Sequence, residues 1–150
     1  MFASGSEVRY FEDAFIEPVN ANMTRFFGRT YTVNPGGAEY RQGGVEYSAA
    51  EGTAVANVAK GKVVYVGNLD VTGNVVIVEH GFGLKTLYAH LASASVNVGD
   101  VVEQGAEIGK CGTTGFTNTS GVYVANFVGN VPVSPYNMWA DGNWRAFPNP

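Results

Sequence analysis

The sequence predicts an all-β fold, an antiparallel β-sandwich or barrel-sandwich, and three observations carry this prediction. Val is by far the commonest large aliphatic residue, with 22 copies against 4 Leu and 3 Ile, and β-branched side chains favour strands. The 20 glycines divide these valine runs with frequent turns. No long segment with a helical hydrophobic period interrupts the pattern, and 150 residues are typical of one domain.

The beginning of the chain is less regular than the rest. Residues 1-17 are predicted to be an N-terminal extension, in which Ser6 caps a short helix or begins a loop segment. From Pro18 to Gly44 the sequence is rich in Asn, Gly, Arg and aromatic residues without a clear period, which indicates loop with one or two short strands. We therefore expect an extension over 1-17 and one domain over 18-150.

From Gly52 onward β-branched runs alternate with turns, which is the pattern of an antiparallel sheet. The predicted strands are Thr53–Val58, Lys62–Val66, Asn74–Glu79, Leu84–Leu91, Ser95–Val102, Ala106–Lys110, Val122–Val128 and Val131–Val133. His80 follows one strand directly before Gly81, and we expect it to be a solvated turn residue. The single cysteine, Cys111, is expected in the core.

Composition excludes several classes of function. A net charge of -4 and the absence of a basic run argue against nucleic-acid binding. No apolar run approaches the ~20 residues of a transmembrane helix, and the first residues do not have the pattern of a secretory signal. Two His and one Cys exclude a Cys-built zinc site, a disulfide framework and a three-His site, so a metal would depend on carboxylates.

Several glycine-punctuated strings occur in a specific order. They are Gly52-Thr53-Ala54-Val55, Gly61-Lys62-Val63-Val64, Gly73-Asn74-Val75-Val76, Thr86-Leu87-Tyr88-Ala89-His90-Leu91, Val98-Gly99-Asp100-Val101-Val102 and Thr114-Gly115. Together they closely resemble the LytM/lysostaphin-type zinc endopeptidase domain of bacterial cell envelopes, over roughly residues 17-140. The resemblance implies a fold of the duplicated-hybrid-motif kind, with a groove over one sheet.

In the family that the sequence resembles, zinc is held by a His-x-x-x-Asp stretch and by the second His of a His-x-His strand. The first His of this pair acts on the attacking water, together with the His of a Tyr-x-His strand. In this chain Gln42 and Glu46 stand at the first two ligand positions, and His90 at the Tyr-x-His position. Gly121 and Tyr123 stand at the His-x-His positions, although a slip of two residues would place Tyr123 and Ala125 there.

These replacements predict a catalytically degenerate member that binds no zinc and needs no cofactor. An amide such as Gln42 is a poor zinc ligand, and a lone His with a Glu is too few ligands for a stable site. His90 is then a relic that hydrogen-bonds within the groove, and Glu46 pairs with Arg41 or another nearby cation. If Val122 and Val124 face the core, Tyr123 plugs the groove. The expected binding groove comprises Gln42, Glu46, Tyr88, His90, Gly121 and Tyr123.

The resemblance implies a non-catalytic cell-envelope domain, periplasmic or extracellular. Its expected partner is a peptidoglycan hydrolase, either an amidase or an active paralogous endopeptidase, or else peptidoglycan itself. One alternative is a residual zinc endopeptidase that uses Glu46, Tyr123 and His90. Another is a structural module that makes contact through a tail containing Trp139 and Trp144.

Two further readings concern aromatic residues and the Val98-Gly99-Asp100 turn. Tyr47, Tyr88, Tyr123, Trp139 and Trp144 are the candidate aromatics of a binding face. Biotinyl and lipoyl carrier domains share a turn like that at Val98-Gly99-Asp100, but none of the 4 lysines has a carrier-like context. We therefore assign that turn to the fold.

Overall fold

The computed structural model describes residues 15–32, 39–115, 117 and 119–134, with the side chains of residues 31, 32 and 39–41 left out. The helix or loop that Ser6 was expected to begin lies outside these residues, as do Trp139 and Trp144. Every regular element in the described part of the chain is a β-strand, which confirms the all-β prediction.

The described residues form 12 strands. They are β1 (Asn22–Arg25), β2 (Thr30–Thr32), β3 (Glu39–Arg41), β4 (Val45–Ser48), β5 (Ala54–Ala56), β6 (Gly61–Leu69), β7 (Gly73–Gly81), β8 (Leu84–Ala94), β9 (Val101–Val102), β10 (Glu107–Cys111), β11 (Gly121–Val128) and β12 (Val131–Val133).

Ten of these strands make one antiparallel sheet, along the order β1-β4-β11-β8-β7-β6-β9. β12 pairs with β11, and β10 pairs with both β8 and β5. β2 and β3 form a separate hairpin. The sheet therefore places β4, from the first third of the chain, beside β11, from the last third.

The two faces of the sheet carry two clusters of buried side chains. The main core includes Val122 and Val124 of β11 and Tyr88 of β8, while Leu87 and Ala89 belong to a smaller cluster on the opposite face. This alternation follows from the two-residue period of a strand. Each fully buried valine contributes about 1.5 kcal/mol relative to exposure.

The upstream end of the described chain is packed into the same core. Phe15 is 3% exposed, and the Ile16 amide donates to the Val58 carbonyl over 2.9 Å. The packing of the domain thus extends upstream of Pro18.

The prediction that His80 is a solvated turn residue is wrong. β7 continues through Gly81, so His80 lies inside a paired strand and is fully buried. Its Nδ1 lies 3.1 Å from the Lys60 carbonyl oxygen and its Nε2 lies 2.8 Å from Thr86 Oγ1. The edge of the Phe15 ring covers it, with ring centroids 4.9 Å apart. The first two contacts supply the polar partners that a buried imidazole requires.

The predicted strand Ser95–Val102 is wrong over most of its length. β8 continues to Ala94, and only β9 remains of the predicted strand after a turn. In that turn the Asn97 amide donates to Asp100 Oδ2 over 2.9 Å, and Gly99 has a φ of 98°. An Asp side chain that bonds a nearby amide and a left-handed glycine both favour a turn over a strand.

Cys111 is fully buried in the main core, as expected. Burial raises the pKa of its thiol, which keeps the sulfur un-ionised.

Candidate functional site

The candidate site lies where β4, β11 and β8 run side by side. Tyr123 of β11 stands opposite Glu46 of β4 and, on its other side, opposite Ala89 of β8. His90 follows Ala89 directly. Three strands that are distant in sequence therefore bring Glu46, Tyr123 and His90 to one place, as the resemblance implies.

A shallow pocket that is open to solvent lies at this junction. Its lining residues are Thr24, Glu46, Tyr47, His90, Thr117, Thr119, Gly121 and Val122. Three of the residues expected in the groove thus share one pocket, namely Glu46, His90 and Gly121. The sequence analysis missed the three threonines. Two of them belong to a Thr-Asn-Thr string shortly before β11, a polar signal beside the expected His-x-His positions.

Glu46 is held in an ion pair. Its Oε2 lies 2.9 Å from Arg25 Nε, and the two residues stand opposite one another in the β1–β4 pairing. The prediction of a nearby cation is confirmed with Arg25 as the partner, whereas the side chain of Arg41 lies outside the description. The Glu46 carboxylate is only partly exposed, and one of its oxygens is already engaged in a charged hydrogen bond with Arg25.

His90 makes hydrogen bonds through both its backbone and its ring. Its backbone has a φ of 62°, in the left-handed region that residues other than glycine rarely adopt. The backbone amide donates to the Thr72 carbonyl over 2.7 Å, and ring Nδ1 lies 2.8 Å from the Thr114 carbonyl oxygen. Because a carbonyl oxygen only accepts, Nδ1 is the donor of this hydrogen bond.

Tyr123 points away from the core, since its neighbours Val122 and Val124 are core residues. Its ring meets the His90 ring edge to face, with centroids 6.2 Å apart. The phenol end lies over the Gly43–Gly44 turn, where a Cβ built on Gly44 would be 2.9 Å from Tyr123 Cζ. Tyr123 thus lies across the space between His90 and this turn.

Gly121 stands where no side chain fits. A Cβ built there would lie 1.8 Å from the Tyr47 carbonyl oxygen. The strand is held at this point by a bridge to Gly112, with 3.1 Å hydrogen bonds in both directions. In this backbone, therefore, a histidine at Gly121 is sterically excluded.

Gln42 is buried at 4% exposure. Its backbone amide donates to the Arg29 carbonyl and its carbonyl accepts from the Gly28 amide, each over 2.8 Å. Side-chain Nε2 is buried without a hydrogen-bond partner among the described residues. Gln42 therefore brings a neutral amide, and no imidazole or carboxylate, to this position.

Tyr88 was expected in the groove, and the structure places it in the main core instead. It is fully buried, its hydroxyl accepts from the Val58 amide over 2.8 Å, and it donates to Asn57 Oδ1 over 3.1 Å. Burial raises the pKa of this phenol. Its parity along β8 explains the placement, because Tyr88 points opposite to Leu87 and Ala89. Tyr47 is likewise a core residue, at 2% exposure.

The donors present do not fit zinc. Within residues 15–32, 39–115, 117 and 119–134, no three His, Cys, Asp or Glu side chains come together as a metal site. The candidates are one carboxylate paired with Arg25, one phenol and one imidazole. Structural and catalytic zinc sites use at least three well-placed anionic or imidazole ligands.

No helix formed by the described residues has the length and apolarity needed to cross a membrane.

Comparison with known proteins places this geometry in context. Residues 40–135 match the family described as Peptidase family M23. The chain is 41% identical over 83 residues to the cell division protein DipM of Caulobacter vibrioides, which is 55% of this chain and 14% of DipM. It is 39% identical over 85 residues to the murein hydrolase activator EnvC of Escherichia coli, which is 57% of this chain and 20% of EnvC.

A solved structure gives the same picture of the fold. The catalytic domain of the antimicrobial peptidase lysostaphin from Staphylococcus simulans superposes with a TM-score of 0.71 at 26% identity. The superposition covers 79% of this chain and 91% of that domain. By contrast, the matched segment is a small fraction of DipM and EnvC.

Proposed function

The chain belongs to peptidase family M23, and we propose that it is a non-catalytic member that acts by binding at the pocket between β4, β8 and β11. The observation that carries the proposal is Tyr123, which stands at one of the two His-x-His positions in either register. It lies opposite Glu46 of β4, and its ring centroid is 6.2 Å from that of His90. A phenol thus takes the place of an imidazole beside the one family histidine that this chain keeps.

The electrostatics of the pocket support the same proposal. Glu46 is the one carboxylate at a family ligand position, and the Arg25 guanidinium already neutralises it. A divalent cation would have to displace Arg25 at a cost of one charged hydrogen bond, about 1.5–3 kcal/mol. The Tyr123 side chain is a weak ligand for zinc at neutral pH, because phenols ordinarily ionise only near pH ~10. Neither group attracts zinc strongly in this arrangement.

The surface that remains suits a binding partner. Beside the pocket, the smaller cluster presents Tyr65, Tyr123 and Phe127 as partly buried aromatic side chains over a floor of aliphatic ones. Aromatic groups of this kind are enriched at the centres of protein–protein interfaces. The threonines of the pocket add hydroxyl donors and acceptors at its rim.

We infer that the partner is a peptidoglycan hydrolase, which the domain activates or positions, in the bacterial cell envelope. The similarity to a protein named as a murein hydrolase activator supports this class of partner. Peptidoglycan itself is the second candidate ligand of the same pocket. An active zinc endopeptidase is the competing function, supported by the similarity to the lysostaphin catalytic domain.

Zinc content separates binding from catalysis. The full chain is incubated with excess zinc, desalted and analysed by mass spectrometry, beside the lysostaphin catalytic domain as the positive control. We expect less than about a tenth of an equivalent, because a site with fewer than three ligands does not retain zinc. One tightly held equivalent that is lost in Glu46→Ala would establish the endopeptidase instead.

Partner binding is tested with a pocket-blocking variant. Thr119 is an exposed pocket residue, so Thr119→Arg fills the pocket without disturbing the core. Ser93→Arg is the matched control, because Ser93 is equally exposed on β8 but lies outside the pocket. We expect Thr119→Arg alone to reduce both capture of a purified cell-wall amidase and stimulation of its activity by at least about tenfold. Equal effects of the two variants would remove the pocket from the mechanism, and retention by purified peptidoglycan alone would identify the wall as the ligand.

A further inference from the structure

We propose that His80, Thr86 and Asn126 form a proton-operated switch, in which protonation of the His80 ring reverses a buried hydrogen-bond chain and turns over the Asn126 amide. None of the three residues lines the pocket described above. The switch does not depend on the proposed function.

The three side chains lie on adjacent strands, on the face of the sheet that carries the main core. Thr86 of β8 stands opposite Asn126 of β11 and, on its other side, opposite the core residue Val78 of β7. Residues that pair directly across strands share a face of the sheet. His80 and Thr86 are fully buried, and Asn126 is 3% exposed. These polar groups are therefore withdrawn from solvent, where a missing hydrogen bond is costly.

The hydrogen bonds of the three side chains run in one direction, from β7 to β11. Thr86 Oγ1 donates to Asn126 Oδ1 over 2.7 Å. A hydroxyl has one hydrogen, so the same oxygen accepts from His80 Nε2, which lies 2.8 Å away. His80 Nδ1 lies 3.1 Å from the Lys60 carbonyl oxygen, which can only accept. These directions require a hydrogen on both ring nitrogens, and a ring with both is the charged imidazolium.

Burial opposes that charge. It lowers the pKa of His80 from 6.5 to about 4, so the folded ring is neutral at pH 7. A neutral ring has one nitrogen without a hydrogen. With the Asn126 amide turned as above, that nitrogen faces an oxygen that has no hydrogen to donate, and one buried hydrogen bond is lost. The arrangement described above therefore fits the charged ring, and the neutral ring needs a different one.

Half a turn of the Asn126 amide provides the arrangement that the neutral ring needs. The rotation exchanges the amide oxygen and nitrogen, so Nδ2 takes the place that Oδ1 holds beside Thr86 Oγ1. Nδ2 then donates to Thr86, the Thr86 hydroxyl donates to His80 Nε2, and His80 Nδ1 still donates to the Lys60 carbonyl. Both forms of the ring therefore have a complete chain, and the two chains run in opposite directions between Nε2 and Asn126.

One proton from solvent operates the switch. The lone pair of His80 Nε2 takes up this proton, and the new N–H then donates to Thr86 Oγ1. The Thr86 hydroxyl hydrogen rotates from Nε2 toward Asn126, and the amide turns to present Oδ1 to it. The new N–H is the one covalent bond that forms, and the hydrogen bonds exchange donor for acceptor.

The charged side chains of β6, β7 and β8 lie on the opposite face of the sheet. Lys85 stands opposite Phe127, which belongs to the smaller cluster on that face. Glu79 contacts Lys85 over 3.8 Å, and Lys62 is paired with Glu79 across the strands. The sheet therefore separates these three charges from the His80 ring.

Other titratable groups near the ring are engaged elsewhere. Lys60 forms an ion pair with Glu103 over 3.4 Å. Glu17 accepts a hydrogen bond from the Tyr47 hydroxyl over 3.4 Å. Burial raises the pKa of Tyr88, so this phenol stays neutral. A proton taken up in this part of the core therefore goes to the imidazole.

The amide that turns lies at a junction of the sheet. β11 pairs with β4 as far as Val124 and with β12 from Asn126 onward. The switch thus transmits protonation of a residue on β7, across β8, to the point where β11 exchanges one neighbouring strand for another.

Nuclear magnetic resonance of the 15N-labelled full chain tests the switch directly, with His90→Gln to assign the two histidine signals. At pH 7 the His80 ring should carry its hydrogen on Nδ1 alone, and the Asn126 amide hydrogens should show Overhauser contacts to the Thr86 side chain. As the pH is lowered, Nε2 should gain a hydrogen and these contacts should fade at one shared midpoint, near pH 4. The buried Asn57 amide is the internal control, because it donates to backbone carbonyls and should not respond.

Two substitutions of Thr86 separate a relay from two independent titrations. Thr86→Ser keeps the hydroxyl, so the Asn126 amide signal should still follow the His80 ring at one midpoint. Thr86→Val has nearly the same shape without the hydroxyl, so the response of the Asn126 signal to His80 protonation should fall at least about fivefold.

Several results would overturn the proposal. One is a His80 ring that carries its hydrogen on Nε2 alone at pH 7, or that carries hydrogens on both nitrogens. Another is an Asn126 amide that keeps one orientation while the ring titrates, or a chain that unfolds before the ring gains its proton. A response of Asn126 that survives Thr86→Val in full also overturns the relay. The measurements on the original chain decide the proposal even if Thr86→Val does not fold.

Discussion

Lowering the pH from 7 to 4 is expected to destabilise this domain through His80. The imidazole is fully buried inside β7, with the Lys60 carbonyl at Nδ1, Thr86 Oγ1 at Nε2 and the Phe15 ring across it. Burial disfavours the charged form and lowers the pKa of His80 from 6.5 to about 4, although the hydrogen bond to the Lys60 carbonyl partly opposes this.

The sign and size of the effect follow from proton linkage. Below pH 6.5 the unfolded chain binds a proton at His80 that the folded chain does not bind until about pH 4. The free energy of unfolding is therefore unaffected above pH 6.5 and falls by about 1.4 kcal/mol per pH unit within this window. The total loss is about 3 kcal/mol, which is a large part of the stability of a domain of this size. Below about pH 4 the contribution of this residue levels off.

Urea unfolding at a series of pH values measures this loss. His80→Gln removes the titrating group, so its free energy of unfolding should lose the part of the pH dependence that lies between 6.5 and 4. His90→Gln is the matched control, because it removes the other histidine and leaves His80 in place. If His80→Gln and the original chain show the same slope across this window, burial of His80 does not control acid stability and the reasoning is refuted.

Three further changes test the packing by urea unfolding. Tyr88→Phe leaves a buried amide without its partner and should cost about 2 kcal/mol. Glu79→Gln removes the carboxylate that lies 3.8 Å from the buried Lys85 ammonium and should lower the free energy of unfolding by about 3 kcal/mol. Adding Lys85→Met should restore most of this loss. Gly121→Ala should lower the free energy of unfolding by at least about 3 kcal/mol, because the new Cβ would lie 1.8 Å from the Tyr47 carbonyl oxygen. Gly43→Ala is the control, since its Cβ would have 3.6 Å of room, and it should cost under about 1 kcal/mol. Equal losses in the two variants would contradict the steric argument.

The fold was predictable because local chemistry and global architecture agree. Valine runs divided by glycine produced the observed strands in β6, β7, β8 and β11 to within a few residues. The prediction failed where a side chain competes with the strand, as Asp100 does by accepting from the Asn97 amide. It failed again at His80, because a polar residue before a glycine has the same pattern whether a strand ends there or continues.

The family resemblance put Glu46 and His90 in one group of residues, and both line one pocket in the structure. It did not reveal Arg25, because that ion pair depends on the pairing of β1 with β4 across 21 residues of chain. Nor did it show that Tyr88 belongs to the core, since a string match does not state which face of a strand a residue occupies. Both the Arg25–Glu46 ion pair and the burial of Tyr88 depend on how the strands pair in three dimensions.

The central position of β11 also determines when the molecule can assemble. β4 and β8 have no direct pairing, and β11 joins them although it is synthesised long after both. Closing such long chain segments has a high entropic cost, and sheets built on non-local pairings fold slowly. During translation, therefore, Glu46 and His90 remain apart until β11 has left the ribosome and inserted between their strands.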